Sequence, residues 1–242
     1  LNGDVVVEAD LAALVGDTGA ATLALVEVED TSPYGVVVTR PDGVVEQFIE
    51  KPATADAPAR TVNAGMYALD RSALAGYPIG RLSFERVVFP ELAARGALRA
   101  VVLRGRWIDI GTPALYLAAH AWVHAGGSTL HRPKAPHEGT GANIEGTVSG
   151  EWSWIAPGAR VVPGAVVEES VVMSGATIGE GAVVRGGIIG HDAQIGPGAF
   201  VGGTAVVGAG AIIGAGCEVD HGMRVAPGAV LEAASITFRP PR

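Results

Sequence analysis

Two hydrophobic rhythms divide the chain. From Ile189 onward every sixth residue is a branched aliphatic: Ile189, Ile195, Val201, Val207, Ile213, Val219, Val225 and Leu231. The residue after each is small or acidic (Gly190, Gly196, Gly202, Gly208, Gly214, Asp220, Ala226, Glu232). The slot four places on is Ala193, Ala199, Ala205, Ala211, Cys217, Met223 and Ala229. Neither the helical period nor strict alternation produces this spacing, whereas a hexapeptide-repeat parallel β-helix does, with each aliphatic pointing inward. The ladder runs back through Ile155, Val161, Val167 and Met173, then, with phase slips, through Ile178 and Val184. The segment from Ser170 to Ile178 aligns with that from Gly187 to Ile195 at a period of seventeen, which one five-residue rung per coil explains. The last coil needs a cap, and Phe238 to Arg242 ends the ladder with prolines that cannot donate to a further strand.

The front half alternates strand and helix patterns, the signature of an α/β layer structure. Asp10 to Val15 predicts a helix with Asp10 as cap, and Thr22 to Val28 a strand. Val36 to Thr39 and Val44 to Ile49 flank Pro41-Asp42-Gly43, a hairpin turn. Val62 to Leu69 is a further strand. Ser83 caps a helix running toward Arg95, interrupted at Pro90 and stopped by Gly96. Leu98 to Leu103 is again a strand, and Thr112-Pro113 opens a helix to about His124. Gly126 to Gly150 lacks an apolar period. The expected organisation is an α/β domain over 1–125, a linker over 126–150 and the β-helix over 151–242.

Composition narrows the classes. Hydrophobic residues are 48% and charged residues 17% of 242, enough for full cores. A formal charge of −8 argues against nucleic acid or an anionic membrane as partner. No apolar run is long enough to span a bilayer, and no signal peptide is visible, which points to the cytoplasm. The single cysteine, Cys217, occupies an alanine slot of the ladder and is expected to be a buried small hydrophobe. Only Lys51 and Lys134 are lysines, against fifteen arginines, so each lysine draws scrutiny.

Four short segments of the front half are candidates for chemistry: Asn2-Gly3-Asp4, Glu50-Lys51-Pro52, Asn63-Ala64-Gly65, and Trp107-Ile108-Asp109-Ile110-Gly111-Thr112. Each has a plain structural alternative: a turn aspartate, a solvated ion pair, turn asparagine chemistry, and a carboxylate favouring a helix N-terminus. Trp107 is expected beside Asp109, Arg104 and Arg106 at the flank of that loop, and Trp122, Trp152 and Trp154 between the two domains.

Together with Tyr34-Gly35-Val36-Val37, Phe48-Ile49, Met66-Tyr67, Ser83-Phe84-Glu85-Arg86 and the repeat tail, these segments resemble the sugar-nucleotidyltransferases, also called NDP-sugar pyrophosphorylases. Within that family the likeness is greatest to mannose-1-phosphate guanylyltransferases that carry a β-helix. The resemblance implies a nucleotidyltransferase domain of Rossmann-like α/β type followed by a left-handed parallel β-helix through which the chain forms homo-oligomers. It implies Asp4 and Asp109 as carboxylates holding Mg²⁺, Glu50 as acceptor of sugar hydroxyls, and Lys51 as the cation on the sugar phosphate. Gly35, Asn63 and Gly65 would line the sugar pocket. Asp4, Lys51 and Asp109 would be the catalytic set, and the substrates a sugar 1-phosphate and an NTP, mannose 1-phosphate and GTP in the first instance.

Family members open with a strand and a glycine-rich G-x-G-T-R-L loop that cradles the NTP phosphates, and the chain has none. The expectation is therefore a fragment lacking that opening, which by itself neither binds NTP nor turns over. Three alternatives stand beside the main reading: a thymidylyl- or adenylyltransferase acting on glucose 1-phosphate, a non-catalytic regulatory subunit, and a hexapeptide-repeat acyltransferase using His191 or His221 as general base.

Overall fold

A computed structural model of the chain describes residues 1–16, 20–52, 57–127 and 141–237. Lys134, most of the expected linker and the expected cap at Phe238 to Arg242 lie outside them. The chain forms two compact units, Leu1–Ile108 and Asp109–Arg242.

The first unit is built on a five-stranded sheet. Its strands are β2 (Ala21–Glu27), β3 (Gly35–Thr39), β4 (Val45–Glu50), β5 (Thr61–Leu69) and β6 (Leu98–Val102), in the order β4-β3-β5-β2-β6. β2 is buried along almost its whole length because it is covered on both faces. Its alternate side chains go opposite ways. Leu23 and Leu25 join Val37, Val45, Phe89 and Leu92 on one side, while Ala24 and Val26 join Leu14, Val62 and Met66 on the other. The run Ala21 to Val26 is thus apolar without interruption, although it is a strand. Two short helices, α1 (Ala12–Val15) and α2 (Phe89–Ala94), sit on opposite faces. Asp10 caps α1 by accepting from the Ala12 amide at 2.9 Å.

The hairpin turn forms as its sequence implies. Asp42 accepts from the Val44 amide at 3.1 Å, the Gly43 amide donates to Arg40 at 2.9 Å, and Gly43 takes φ 84°. Ser83 accepts from the Arg86 amide and opens a single wide π turn over Phe84–Val88, after which α2 begins. Proline within a regular helix would collide with the carbonyl four residues back; the wide turn just ahead of Pro90 makes room for its ring. Two strands were not foreseen at full length: β1 (Val5–Ala9) and β7 (Gly105–Asp109), which pair as a separate two-stranded sheet. They are mostly half-buried and carry Arg and Glu among valines, so their period is faint.

The second unit is a parallel β-helix of about five turns with one helix laid on it. Its three faces hold five, six and five short strands. Trp154 pairs with Val171 and Val171 with Ile188, a rise of seventeen residues per turn; Ile188 then pairs with Val206 and Val206 with Arg224, a rise of eighteen. The inward aliphatics Ile178, Val184, Ile189, Ile195, Val201, Val207, Ile213 and Val219 are buried, with the alanine slots packed between them. Cys217 lies among them, fully buried, its thiol donating to the Glu232 carbonyl at 3.0 Å.

The coil begins earlier than its sequence rhythm suggests. Asn143–Ile144 and Thr147–Ser149 already pair into two of the faces, so residues assigned to a linker form the first turn. Ile144 and Val148 are its inward residues, too few to show a period of their own.

Helix α3 (Pro113–Trp122), capped by Thr112 accepting from the Leu115 amide, packs on the coil through Leu117 against Trp152, Val171 and Ile188, with Tyr116 and Ala121 alongside. The sequence reading places this helix in the first domain and the tryptophans at a domain junction; the compact division falls ahead of it. The reason lies in Val171, Ile188 and Val206, the outward members of two-residue strands that are aliphatic on both sides. An outward aliphatic repeated once per turn calls for a cover, and α3 supplies it. Among the described residues no helix is long and apolar enough to cross a membrane.

Candidate functional site

Four of the expected residues meet at one end of the five-stranded sheet, all within the first unit. Gly35 starts β3 and pairs directly with Glu50, the last residue of β4. Val36 pairs with Val62 in β5, so Gly35 and Asn63 lie one step further toward the same end. A Cβ at Gly35 would stand 2.9 Å from Glu50 Oε2 and 2.9 Å from the Phe48 ring. The glycine is there to give the carboxylate and the ring their place, not to admit an unusual backbone angle.

Beyond Asn63 the strand bulges. Opposite Leu23 and Leu25 of β2 stand Tyr67 and Asn63, with Ala64, Gly65 and Met66 facing one residue between them. Gly65 takes φ 74°, and a Cβ on it would meet the Asn2 side chain at 2.9–3.1 Å. Its carbonyl accepts from the Asn2 amide at 2.7 Å. The group that approaches this glycine is the chain's own Asn2. Asn63 Oδ1 accepts from the Gly65 amide at 3.1 Å, and its Nδ2 donates to the Tyr67 hydroxyl at 3.2 Å. That pattern fixes which end of the amide is which.

Tyr67 ties the motifs together. Its hydroxyl has acceptors in Asn2 Oδ1 at 3.2 Å and Glu85 Oε1 at 3.4 Å. Burial, reinforced by the nearby Glu85 charge, raises its pKa to about 12, so at neutral pH it is a donor. Glu50 is half-buried and its carboxyl is shifted upward. Burial is the main cause and the Glu85 charge adds to it, while Lys51 and Arg86 pull the other way. The result is two carboxylates and two cations at a half-buried rim, beside a tyrosine hydroxyl and two amide side chains: a surface made to grip a polyhydroxylated anion.

Lys51 is exposed and takes φ 46°, in the left-handed region, immediately before Pro52, which disfavours the helical region for its predecessor. Its amide donates to the Tyr34 carbonyl at 3.2 Å. The strand therefore turns sharply at the lysine, so Glu50 and Lys51 leave the sheet in different directions.

Asp4 stands exposed in the turn just before β1. Asp109 is the last residue of β7 and the first of the second unit; its Oδ1 accepts from the Gly111 amide at 2.7 Å, which leaves the other oxygen available. Trp107 donates from Nε1 to the Ala64 carbonyl at 2.9 Å and meets Tyr34 edge-on, bracing the β5 bulge. Among the described residues no group of three or more His, Cys, Asp or Glu side chains is assembled. A magnesium site needs none, since that ion takes one or two carboxylates and completes its shell with water and phosphate oxygens.

The two coil histidines sit apart from all of this. His191 is exposed at a corner. His221, also exposed, stands beside Asp220 at 3.8 Å on the rim of a 580 Å³ recess in the second unit, with Trp152 and Phe200 in its wall.

Asn2, Tyr67 and Glu85 were not picked out as site residues from sequence. Their signal was present but indirect: each lies inside a segment that carries the family resemblance, yet only the bulge of β5 and the wide turn before α2 bring them to Asn63.

Comparison with known proteins now bears on this arrangement. The family described as Nucleotidyl transferase matches residues 1–126. The chain belongs to the nucleotidyl transferase family. A second family, described as the GMPPB C-terminal domain, matches residues 139–211, which cover the first turns of the coil. The chain is 36% identical over 179 residues to a Mycobacterium tuberculosis protein named mannose-1-phosphate guanylyltransferase, covering 66% of this chain and 49% of that one. It is 37% identical over 154 residues to an Arabidopsis thaliana probable mannose-1-phosphate guanylyltransferase 3, covering 61% and 45%. A Drosophila melanogaster mannose-1-phosphate guanylyltransferase catalytic subunit beta is 33% identical over 154 residues, with 61% and 40% covered. This member of the nucleotidyl transferase family thus spans less than half the length of these curated relatives.

Proposed function

We propose that the chain serves a sugar-1-phosphate nucleotidylyltransferase that makes GDP-mannose and pyrophosphate from GTP and mannose 1-phosphate. What supports this most directly is the meeting of Gly35, Glu50, Asn63, Gly65 and Tyr67 at one sheet end, with Lys51 at the exit of the same strand. In this reading Glu50, an acceptor when ionised, takes hydroxyl protons of the sugar. Lys51 carries the phosphate as a compact positive charge. Asn63 and Tyr67 hold each other in fixed orientation beside the ring. The sugar phosphate oxygen is thereby aimed at the α-phosphorus of the nucleotide, and positioning with charge neutralisation is the source of the rate.

Asp4 and Asp109 would hold Mg²⁺, because their oxygens suit a hard cation and neither carboxylate is fully committed within the fold. When bound, the ion supplies charge neutralisation at the phosphates. The GMPPB-type coil and the names of the relatives favour the guanylyl and mannosyl choice over the thymidylyl or adenylyl alternatives.

The test is calorimetric titration of the chain with mannose 1-phosphate, glucose 1-phosphate and inorganic phosphate, followed by pyrophosphate release with four NTPs. The expected result is tightest binding of mannose 1-phosphate, at least tenfold weaker in Lys51→Met. No hexose 1-phosphate binding, or equal binding in Lys51→Met, overturns the proposal.

A further inference from the structure

Glu85 has a plain structural role available, as a carboxylate in the first turn after the Ser83 cap, where the helix end favours negative charge. Its observed contacts do not use that role. Oε2 accepts from Ser83 Oγ at 3.4 Å, and Oε1 faces away from the turn toward Tyr67 OH, also at 3.4 Å. Both contacts are at the outer limit of hydrogen-bond length. An ionised carboxylate has about four acceptor positions, so most of this one's capacity is unspent. Tyr67 has one proton and two acceptors within reach, Glu85 Oε1 and Asn2 Oδ1. Whichever it serves, the other faces the pocket with a lone pair free.

Position adds to this. Asn63 Nδ2 lies 3.2 Å from the Tyr67 hydroxyl, so Glu85 Oε1 is two hydrogen bonds from a residue of the expected sugar pocket. The wide turn over Phe84–Val88 sets Glu85 there, with Phe84 stacked parallel to the Tyr67 ring at 6.3 Å between centroids. A carboxylate so placed, in a pocket that already has Glu50, adds a second acceptor for hydroxyl protons at a different point around a pyranose ring.

Resting on the sugar-phosphate reading above, we infer that Glu85 is a specificity-determining residue, whose Oε1 accepts a second sugar hydroxyl while Glu50 accepts the first. Two fixed acceptors select a pair of hydroxyl directions, and epimers differ in such pairs. Lys51 grips the phosphate whatever the sugar; the two glutamates decide which sugar stays.

The experiment measures binding of mannose 1-phosphate, glucose 1-phosphate, the monodeoxy derivatives of the preferred one, and inorganic phosphate to wild type, Glu85→Gln and Glu85→Ala. Loss of a charge-assisted hydrogen bond predicts a roughly tenfold to hundredfold drop in affinity for the preferred hexose 1-phosphate in Glu85→Ala. Inorganic phosphate binding should stay within twofold. Selectivity between the two epimers should shrink. One deoxy derivative should bind wild type weakly yet show no further loss in Glu85→Ala, naming the hydroxyl concerned. Glu85→Gln keeps the side-chain shape and one acceptor oxygen, so it should fall between the two and melt like wild type. If wild type binds hexose 1-phosphate but both variants keep its selectivity, or if phosphate and sugar phosphate weaken together, the Glu85 inference fails alone. If wild type binds no hexose 1-phosphate, the reading beneath it fails as well.

Discussion

At the scale of single residues, the site is defined by what glycine leaves vacant and by what burial does to a carboxyl. Gly35→Ala introduces a Cβ 2.9 Å from Glu50 Oε2 and the Phe48 ring. The flexible carboxylate is the easier to displace, so stability should fall by only ~1–3 kcal/mol while hexose 1-phosphate binding drops at least tenfold. Thermal melts and calorimetry on the same sample separate the two; unchanged affinity would mean that Glu50 does not bind the sugar. Glu50 itself makes a prediction with two signs. Its folded-state pKa is raised, chiefly by burial, so the stability it contributes is complete below the ordinary glutamate range and is lost as pH rises through the shifted value. Glu50→Gln should therefore raise the melting temperature at pH 7, with the advantage vanishing toward pH 4. Over the same window, sugar-phosphate affinity of the wild type should weaken as pH falls, because the acceptor is being protonated. A melting advantage that persists at low pH would assign the effect to something other than this carboxyl.

At the scale of elements, the coil shows why its rhythm reads so clearly. The glycine after each inward aliphatic has no unusual backbone angle; it is small because the next turn lies against it. A Cβ at Gly190 would stand 2.7 Å from the Ala209 amide nitrogen and 2.8 Å from the Val207 carbonyl oxygen, backbone that cannot swing aside. Gly190→Ala should cost ~1–3 kcal/mol by crowding, and Ile189→Ala ~2–5 kcal/mol by leaving a cavity in a fully buried column. Chemical denaturation distinguishes the mechanisms through the double variant. The cavity one turn in cannot absorb a Cβ pressed against backbone, so the two losses should add. The first unit was legible where one face or both were buried without exception, as in β2 and the Pro41-Asp42-Gly43 hairpin. It was illegible in β1 and β7, whose short half-buried strands alternate too weakly to stand out from loop.

At the scale of the whole molecule, sequence pattern located both cores and the end of the sheet where the site lies, because those depend on local periodicity and on short motifs. It did not locate the division between units, since that depends on what α3 covers, and the cover is announced only by Val171, Ile188 and Val206 recurring once per turn. Nor did it gather Asn2, Tyr67 and Glu85, which meet through a bulge and a π turn that leave no periodic trace. The docking of α3 carries a pH signature. His120 is largely buried against Tyr116 and Trp152, and burial, with His124 nearby, lowers its pKa to about 4. An unfolded histidine takes up its proton near pH 6.5 and this one does not, so stability should be full above that value. It should fall by about 1.4 kcal/mol per pH unit as pH drops toward 4. His120→Phe should flatten the slope between pH 6.5 and 5 in thermal melts; an unaltered slope would place the sensitivity elsewhere.

The register of the coil has a consequence for how such a protein varies over generations. Ile188 stands over Val206 and Ile189 over Val207, each inward and outward position repeating its neighbour's environment. A duplication or loss of one such span meets the same interface above and below it, so the column is a ruler that can be lengthened or shortened by single graduations. Indels of any other size would throw every later side chain onto the wrong wall, and lineages should differ here in whole turns.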